Sequence, residues 1–224
     1  MGDITAIAVN TDLARRGSFE CSDASLNALH RAAEWSFLGN ACDIPTDCPQ
    51  RERAGWTGDW QVFQTTAAFL FDVAGFSTKW LRDLDADRWP DGRVSNFAPD
   101  PGGRAVMKTK LGNYITGSSG WGDACVIVPW DLWRIYGDRQ ILAEMWPMMS
   151  AWVDFATSVA ASGRHSSRVA ARPQPALHEQ YIWDTGFHWG EWCEPEPDPK
   201  AMDPSTDHGA VATAYLYHLS LIHI

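Results

Sequence analysis

An all-α fold, built of helical hairpins joined by long loops, is predicted for this 224-residue chain from three observations. Apolar residues return at three- and four-residue steps in about six separate segments. Strand-like sequence is confined to the β-branched opening ITAIAV. Two long irregular stretches, 89–120, rich in Gly and Pro, and 163–204, separate the helical segments and have no periodicity of their own.

The elements follow in order. ITAIAV reads as a short strand, closed by the turn-like ARRGS. Ser22 is positioned as an N-cap, and Leu26, Leu29, Ala33 and Phe37 mark one buried helical face that stops at Gly39-Asn40. A second helix is predicted over Asp59 to Phe71, and a third through Phe76, Trp80, Leu81 and Leu84, before the turn at Asp91-Gly92. WGDACVIVPWDLWRIYGD resumes helical spacing through Val126, Trp130 and Trp133, with Pro129 expected to bend it and Gly137 to end it. Asp138 caps a longer helix whose Leu142, Met145, Met149, Trp152 and Phe155 share a face despite Pro147. The last helix is predicted to start near Ser205 or Thr206 and to run through Val211, Tyr215 and Leu219.

Composition narrows the function. Hydrophobic residues at 45% and charged residues at 21% describe a packed globular chain. A formal charge of -10 leaves no basic stripe for phosphates, so nucleic acid and anionic membranes are poor partners. The five cysteines are scattered without a CxxC pair, which argues against a disulfide framework or a zinc site and for reduced, buried thiols. His188, Glu191 and Cys193 match no standard ligand spacing, so no metal and no cofactor are expected. The start lacks the layout of a signal peptide, and a cytoplasmic setting is the expectation.

The chemistry concentrates in DCPQRERAGWTGDW, residues 47–60. Pro49, Gly55 and Gly58 prevent regular structure, so Asp47, Arg51, Glu52, Arg53 and Trp56 must be displayed from a loop feeding the second helix. Neighbouring carboxylates can keep one of their number protonated and can accept hydrogen bonds from hydroxyls. With exposed aromatic faces beside them, they point towards carbohydrate. Glu52 sits between two arginines, and a nearby cation would favour its ionised form. A proton-donor role therefore requires the arginines to point elsewhere while Glu52 faces Trp56 and Asp59. The competing expectation is a salt-bridged loop whose acids cap helices, Asp59 foremost among them. Trp121-Gly122-Asp123 and Trp189-Gly190-Glu191-Trp192 repeat the order tryptophan, glycine, acid, so three such loops can meet at one end of a helical ring. Trp89, Trp121, Trp183, Trp189 and Trp192 are placed for stacking on a sugar; Trp80, Trp133 and Trp152 are assigned to the core.

FECSDASLNALH, IPTDCPQRERAGWTGD, FDVAGFSTKWLRDL and GWGDACVIVPWDLWRIYGD, with FHWGEW and HGAVATAYLY more weakly, resemble the catalytic domain of bacterial α-L-rhamnosidases. The resemblance implies a six-hairpin (α/α)6 barrel, of which residues 19–224 would form the N-terminal part, incomplete at the C-terminus. Residues 1–18 would be the strand and linker left from an upstream β-domain. It implies that Glu52 is the general acid of an inverting hydrolysis of terminal α-L-rhamnose. Asp47, Arg51, Trp56, Asp59, Trp121, Asp123, Trp189 and Glu191 would contact the sugar. The general base would come from a later hairpin, and no position here matches it. The partner implied is a rhamnose-containing glycoside. A non-catalytic sugar-binding or scaffold module of the same fold, or a related helical-barrel glycosidase acting on another sugar, are the alternatives.

Overall fold

A computed structural model of the chain describes residues 4–100, 115–189 and 209–223, the last without its His223 side chain. Helices supply nearly all regular structure among them: α1 (Ala24–Asn40), α2 (Thr57–Leu70), α3 (Ala74–Ala86), α4 (Ala124–Tyr136), α5 (Arg139–Ser162), the short α6 (Ser166–Ala171) and α7 (Gly209–His223). A 3-10 turn covers Leu177–Tyr181, and a two-stranded hairpin pairs β1 (Ala41–Cys42) with β2 (Ile44–Pro45). No helix among the described residues is long and apolar enough to cross a membrane.

Helix α4 packs most extensively on α5 and also meets α2, α3 and α7, while α5 in turn meets α3 and α7. Helix α1 joins through Phe37, whose ring contacts Trp60, Phe63, Phe71 and Phe76 at centroid distances of 5.6–6.5 Å. The core is formed by Trp80, Leu81, Leu84, Leu132, Met148 and Trp152, all fully buried. Each such side chain contributes about 1.5–3 kcal/mol by leaving water.

Local rules account for most boundaries. The Asp138 side chain accepts from Gln140 N and Ile141 N and so caps α5, while Gly137, at φ 71°, closes α4 in the left-handed conformation. Pro129 and Pro147 lie inside α4 and α5, which continue through them. Burial of their neighbours Val128 and Met148 offsets the lost backbone bond.

Several expectations are corrected. Residues 4–10 form no strand; Ile4, Ile7 and Val9 are exposed, with no neighbouring strand among the described residues to receive their backbone bonds. The N-cap of α1 is Asp23, whose carboxylate accepts from Ser25 N and Leu26 N, and not Ser22. Its buried face is limited to the C-terminal end, since Leu26 and Leu29 are exposed while Glu34 and Phe37 are buried. Trp183 is core, buried against Trp152 and Phe155, and Trp133 is only half-buried. Cys125 is buried, but Cys42 is exposed and Cys21 and Cys48 are intermediate. The expected start of the last helix, at residues 205–206, lies outside the described residues.

Of the stretch expected to be a long loop, 89–120, the described residues 89–100 and 115–120 make more backbone pairings than their composition suggests. Antiparallel bridges join Trp56 to Phe97 and Ser95 to Thr116. Thr57 N donates to Asn96 O at 2.8 Å, Ala98 N to Gly55 O at 3.0 Å, and Asn96 N to Ile115 O at 2.8 Å. Residues 94–98 are thus the middle segment of an irregular ribbon that laces the first acid loop to the start of the next. Trp80 Nε1 donates to Ala98 O at 3.1 Å and pins this ribbon to α3.

Candidate active site

The first acid loop is a closed turn. Asp47 N donates to Ala54 O, and Asp47 Oδ1 accepts from Ala54 N, both at 3.1 Å, which ties the neck. Inside it, Cys48 Sγ accepts from Glu52 N at 3.1 Å and Arg53 Nε donates to Pro49 O at 3.1 Å. Arg53 adopts φ 54°, the sparsely populated left-handed region, at the point where the chain reverses. Gly55 is required by crowding, because a Cβ there would stand 2.2 Å from Ala98 O.

Glu52 holds two partners. Trp56 Nε1 donates to its Oε2 at 2.8 Å, and Arg51 Nη2 donates to its Oε1 at 2.5 Å. The expectation that both arginines turn away is therefore corrected for Arg51, which is free of crowding, 83% exposed, and follows the nearest carboxylate. Glu52 in turn holds the guanidinium pKa of Arg51 above its ordinary value, through the hydrogen bond and then its charge. Glu52 does face Trp56, as the sequence reading requires.

Beside the loop opens a cavity of about 600 Å³, whose walls include Asp47, Asp59, Trp60, Trp121 and Tyr215. Asp59, in the first turn of α2, is reached by solvent from the cavity while the protein around it removes much of its hydration. Its pKa is raised, first by that desolvation and then by the charges of Asp47 and Glu52, against the pull of its own backbone N–H. The indole Nε1 atoms of Trp60 and Trp121 are buried without a protein partner, leaving two donors in cavity-lining side chains. The Asp47 and Asp59 carboxylates at the cavity can accept hydrogen bonds from the hydroxyls of a polyol.

The three tryptophan-bearing loops meet. Trp189 packs on Trp56 and on Trp121, each at 5.8 Å between centroids, and Phe187 and Phe97 extend the aromatic wall at 4.7 Å from Trp189 and 5.1 Å from Trp56. Gly58 permits the approach of the second loop, because a Cβ on it would lie 2.6 Å from the Trp121 ring.

Asp123 does not reach this cavity, which corrects its assignment to sugar contact. It is fully buried; Oδ1 accepts from Trp152 Nε1 at 2.8 Å, and Oδ2 accepts from Gly120 N at 2.7 Å and Ser119 Oγ at 3.2 Å. Burial pushes its pKa up to about 6 against those three donors and His218. Asp123 anchors the loop on which Trp121 stands. Glu191 and Trp192 lie outside the described residues. Trp89 is half-buried under the Arg93 guanidinium, 4.9 Å from its ring centre. The described residues contain no cluster of three or more groups able to hold a metal.

Tyr215, Phe97 and Phe187 are among the site residues that sequence reasoning did not single out. Tyr215 projects from α7 into the cavity, its hydroxyl accepting from Gln61 Nε2 at 3.4 Å, and burial raises its pKa. The ATAYLY segment carries that signal; Phe97, inside a Gly- and Pro-rich stretch, has none.

Helical hairpins whose loops gather acids and tryptophans around one cavity define a six-hairpin glycosidase fold. The chain belongs to the bacterial α-L-rhamnosidase family, matching the model of the bacterial alpha-L-rhamnosidase 6 hairpin glycosidase domain over residues 14–222. It is 36% identical over 216 residues to an α-L-rhamnosidase of Streptomyces avermitilis, covering 96% of this chain and 18% of that protein. It is 34% identical over 206 residues to one from Formosa agariphila, covering 90% and 19%. The crystal structure of the Streptomyces avermitilis enzyme complexed with L-rhamnose superposes with TM-score 0.72 at 33% identity, over 95% of this chain and 17% of that one. The native Aspergillus terreus enzyme gives 0.75 at 34%, over 97% and 22%. The chain spans about a fifth of the length of the curated relatives it matches.

Proposed function

We propose that this chain forms the acid-bearing side of the sugar site of an inverting α-L-rhamnosidase, with Glu52 as the general acid. The observation that carries the reading is the Trp56 Nε1–Glu52 Oε2 bond of 2.8 Å, which holds the carboxyl on the tryptophan that packs on Trp189 and, through it, on the cavity-lining Trp121; Glu52 itself is not among the residues that line the cavity. Asp47, Asp59 and Tyr215 supply hydroxyl contacts, and Trp56, Trp121 and Trp189 the stacking faces. Arg51 guards the entrance. It must release Glu52 before the carboxyl can carry a proton, and an exposed ion pair exchanges readily for sugar and water partners.

Single displacement needs a second carboxyl about 6.5–9.5 Å away across a water. In this reading that base belongs to a part of the protein outside this chain. The test is hydrolysis of aryl α-L-rhamnosides by the whole protein that contains the chain. Glu52→Gln lowers kcat by about 10²–10⁴ for poor leaving groups, the usual worth of a positioned acid. It does least harm where the leaving group departs unassisted. Undiminished turnover of the poor leaving group removes Glu52 from the role.

The Arg51–Glu52 pair favours a second reading, a rhamnose-binding module in which Glu52 stays ionised and orients a hydroxyl. Saturable binding of L-rhamnose by the whole protein, without hydrolysis, would establish it.

A further inference from the structure

Helices α1, α2 and α7 and the loops of Asp47 and Trp121 wall the cavity, and Trp189 packs on Trp121 from a further segment, so something must set the spacing of those two tryptophans. His188 is 1% exposed, and its Nδ1 accepts from the backbone N–H of Ser119 at 3.0 Å. A backbone amide can only donate, so Nδ1 carries no proton. Nε2, 3.2 Å from Thr185 O, then bears the hydrogen and donates it. One residue further, Trp189 N donates to Ser118 Oγ at 3.1 Å. The consecutive pairs Ser118-Ser119 and His188-Trp189 form two rungs between the loop of Trp121 and the segment of Trp189. The first side is anchored through Ser119 and Gly120 to Asp123 and so to Trp152 on α5. The second is backed by Trp183, whose ring meets the imidazole edge-to-face at 4.7 Å and meets Trp152 at 6.0 Å.

We infer that His188 is a positioning residue for substrate: as a neutral, Nδ1-accepting imidazole it couples the two tryptophan-bearing loops and sets the separation of Trp121 and Trp189. The inference rests on the sugar-site reading for its consequence, though its geometry does not. A generic packing role needs only the volume of the ring. The coupling role needs an acceptor at the Nδ1 position. Asn places its Oδ1 near where Nδ1 stood, whereas Gln places its amide near Nε2, so the two amides separate the roles.

The experiment compares the whole protein that contains the chain, as wild type and as His188→Asn and His188→Gln, using methyl α-L-rhamnoside as ligand and near-ultraviolet circular dichroism as a ligand-free report on tryptophan geometry. His188→Asn keeps the tryptophan dichroism and binds within about threefold of wild type, since the acceptor is retained. His188→Gln loses that dichroism and binds at least about tenfold more weakly, the worth of roughly one buried hydrogen bond. Equal binding and equal dichroism in both variants would overturn the inference, as would a loss in Asn as large as in Gln. If the wild-type whole protein binds no rhamnoside, the sugar-site reading fails on its own, and the dichroism alone then decides whether His188 couples the loops.

Discussion

Asp123 shows how one carboxyl can serve a site it never touches. Three donors from Ser119, Gly120 and Trp152 converge on it, yet full burial raises its pKa to about 6. An unfolded aspartate titrates near about 3.9. A carboxyl with a raised folded pKa favours the folded state at low pH, and that contribution disappears as pH rises through the folded value. Asp123 thus stabilises the fold below pH ~4 relative to pH 7 by about 3 kcal/mol, lost mainly between those two pKa values. In Asp123→Asn this slope vanishes from urea midpoints measured between pH 4 and 7. The amide N–H₂ must also face one of the three donors, at a cost of about 1–3 kcal/mol. A variant whose pH dependence matches wild type would show that Asp123 is not the titrating group. Asp59 behaves differently, because neighbouring charges contribute to its raised pKa. Asp47→Asn lowers the Asp59 midpoint in a carboxyl carbon NMR titration, and an unmoved midpoint would mean that the two acids do not sense each other.

The helix carrying Asp59 also decides how closely two loops may approach. Glycine within a helix ordinarily costs about 0.5–1 kcal/mol relative to alanine, so Gly→Ala should stabilise. Gly39 in α1 and Gly75 in α3 have nothing within 4 Å of an added Cβ, and Gly39→Ala is expected to raise the urea midpoint. Gly58→Ala goes the other way by about 1–3 kcal/mol, because the new methyl overlaps the Trp121 ring. It should also perturb tryptophan fluorescence, and a stabilised Gly58→Ala with unchanged emission would contradict the packing described. Much at this scale was legible from local rules. The four apolar residues assigned to α3 are all buried, and Asp138 and Gly137 act as the caps their chemistry suggests. ITAIAV was misread because β-branched residues favour strands only where a partner receives the backbone bonds. The ordered ribbon at 94–98 was invisible because its bonds run to Gly55, Thr57 and Ile115, none of them local.

Across the molecule, open apolar faces accompany the loop cluster. Val62 and Phe69 lie on one exposed face of α2, and Tyr217 and Leu221 on one of α7. Such faces promote association. Phe69→Glu is expected to reduce concentration-dependent self-association in sedimentation velocity while changing folding stability by less than about 0.5 kcal/mol, since Phe69 is 81% exposed. Persistence of the same oligomers would place the contact elsewhere.

Periodicity, caps and turn residues act over a few neighbouring positions, so the helical class, the positions of most helices and the loop that carries Glu52 can be read along the chain. The partners of the side chains come from the packed fold. Arg51 turned to Glu52, Asp123 and Trp183 went inside, Tyr215 came to the cavity, Phe97 to the aromatic wall and His188 to the backbone of Ser119. Those outcomes depend on which distant segments approach closely enough to exclude water, and a hydrogen bond such as that from Ser119 N to His188 Nδ1 spans 69 residues of chain. No local rule acts over that separation.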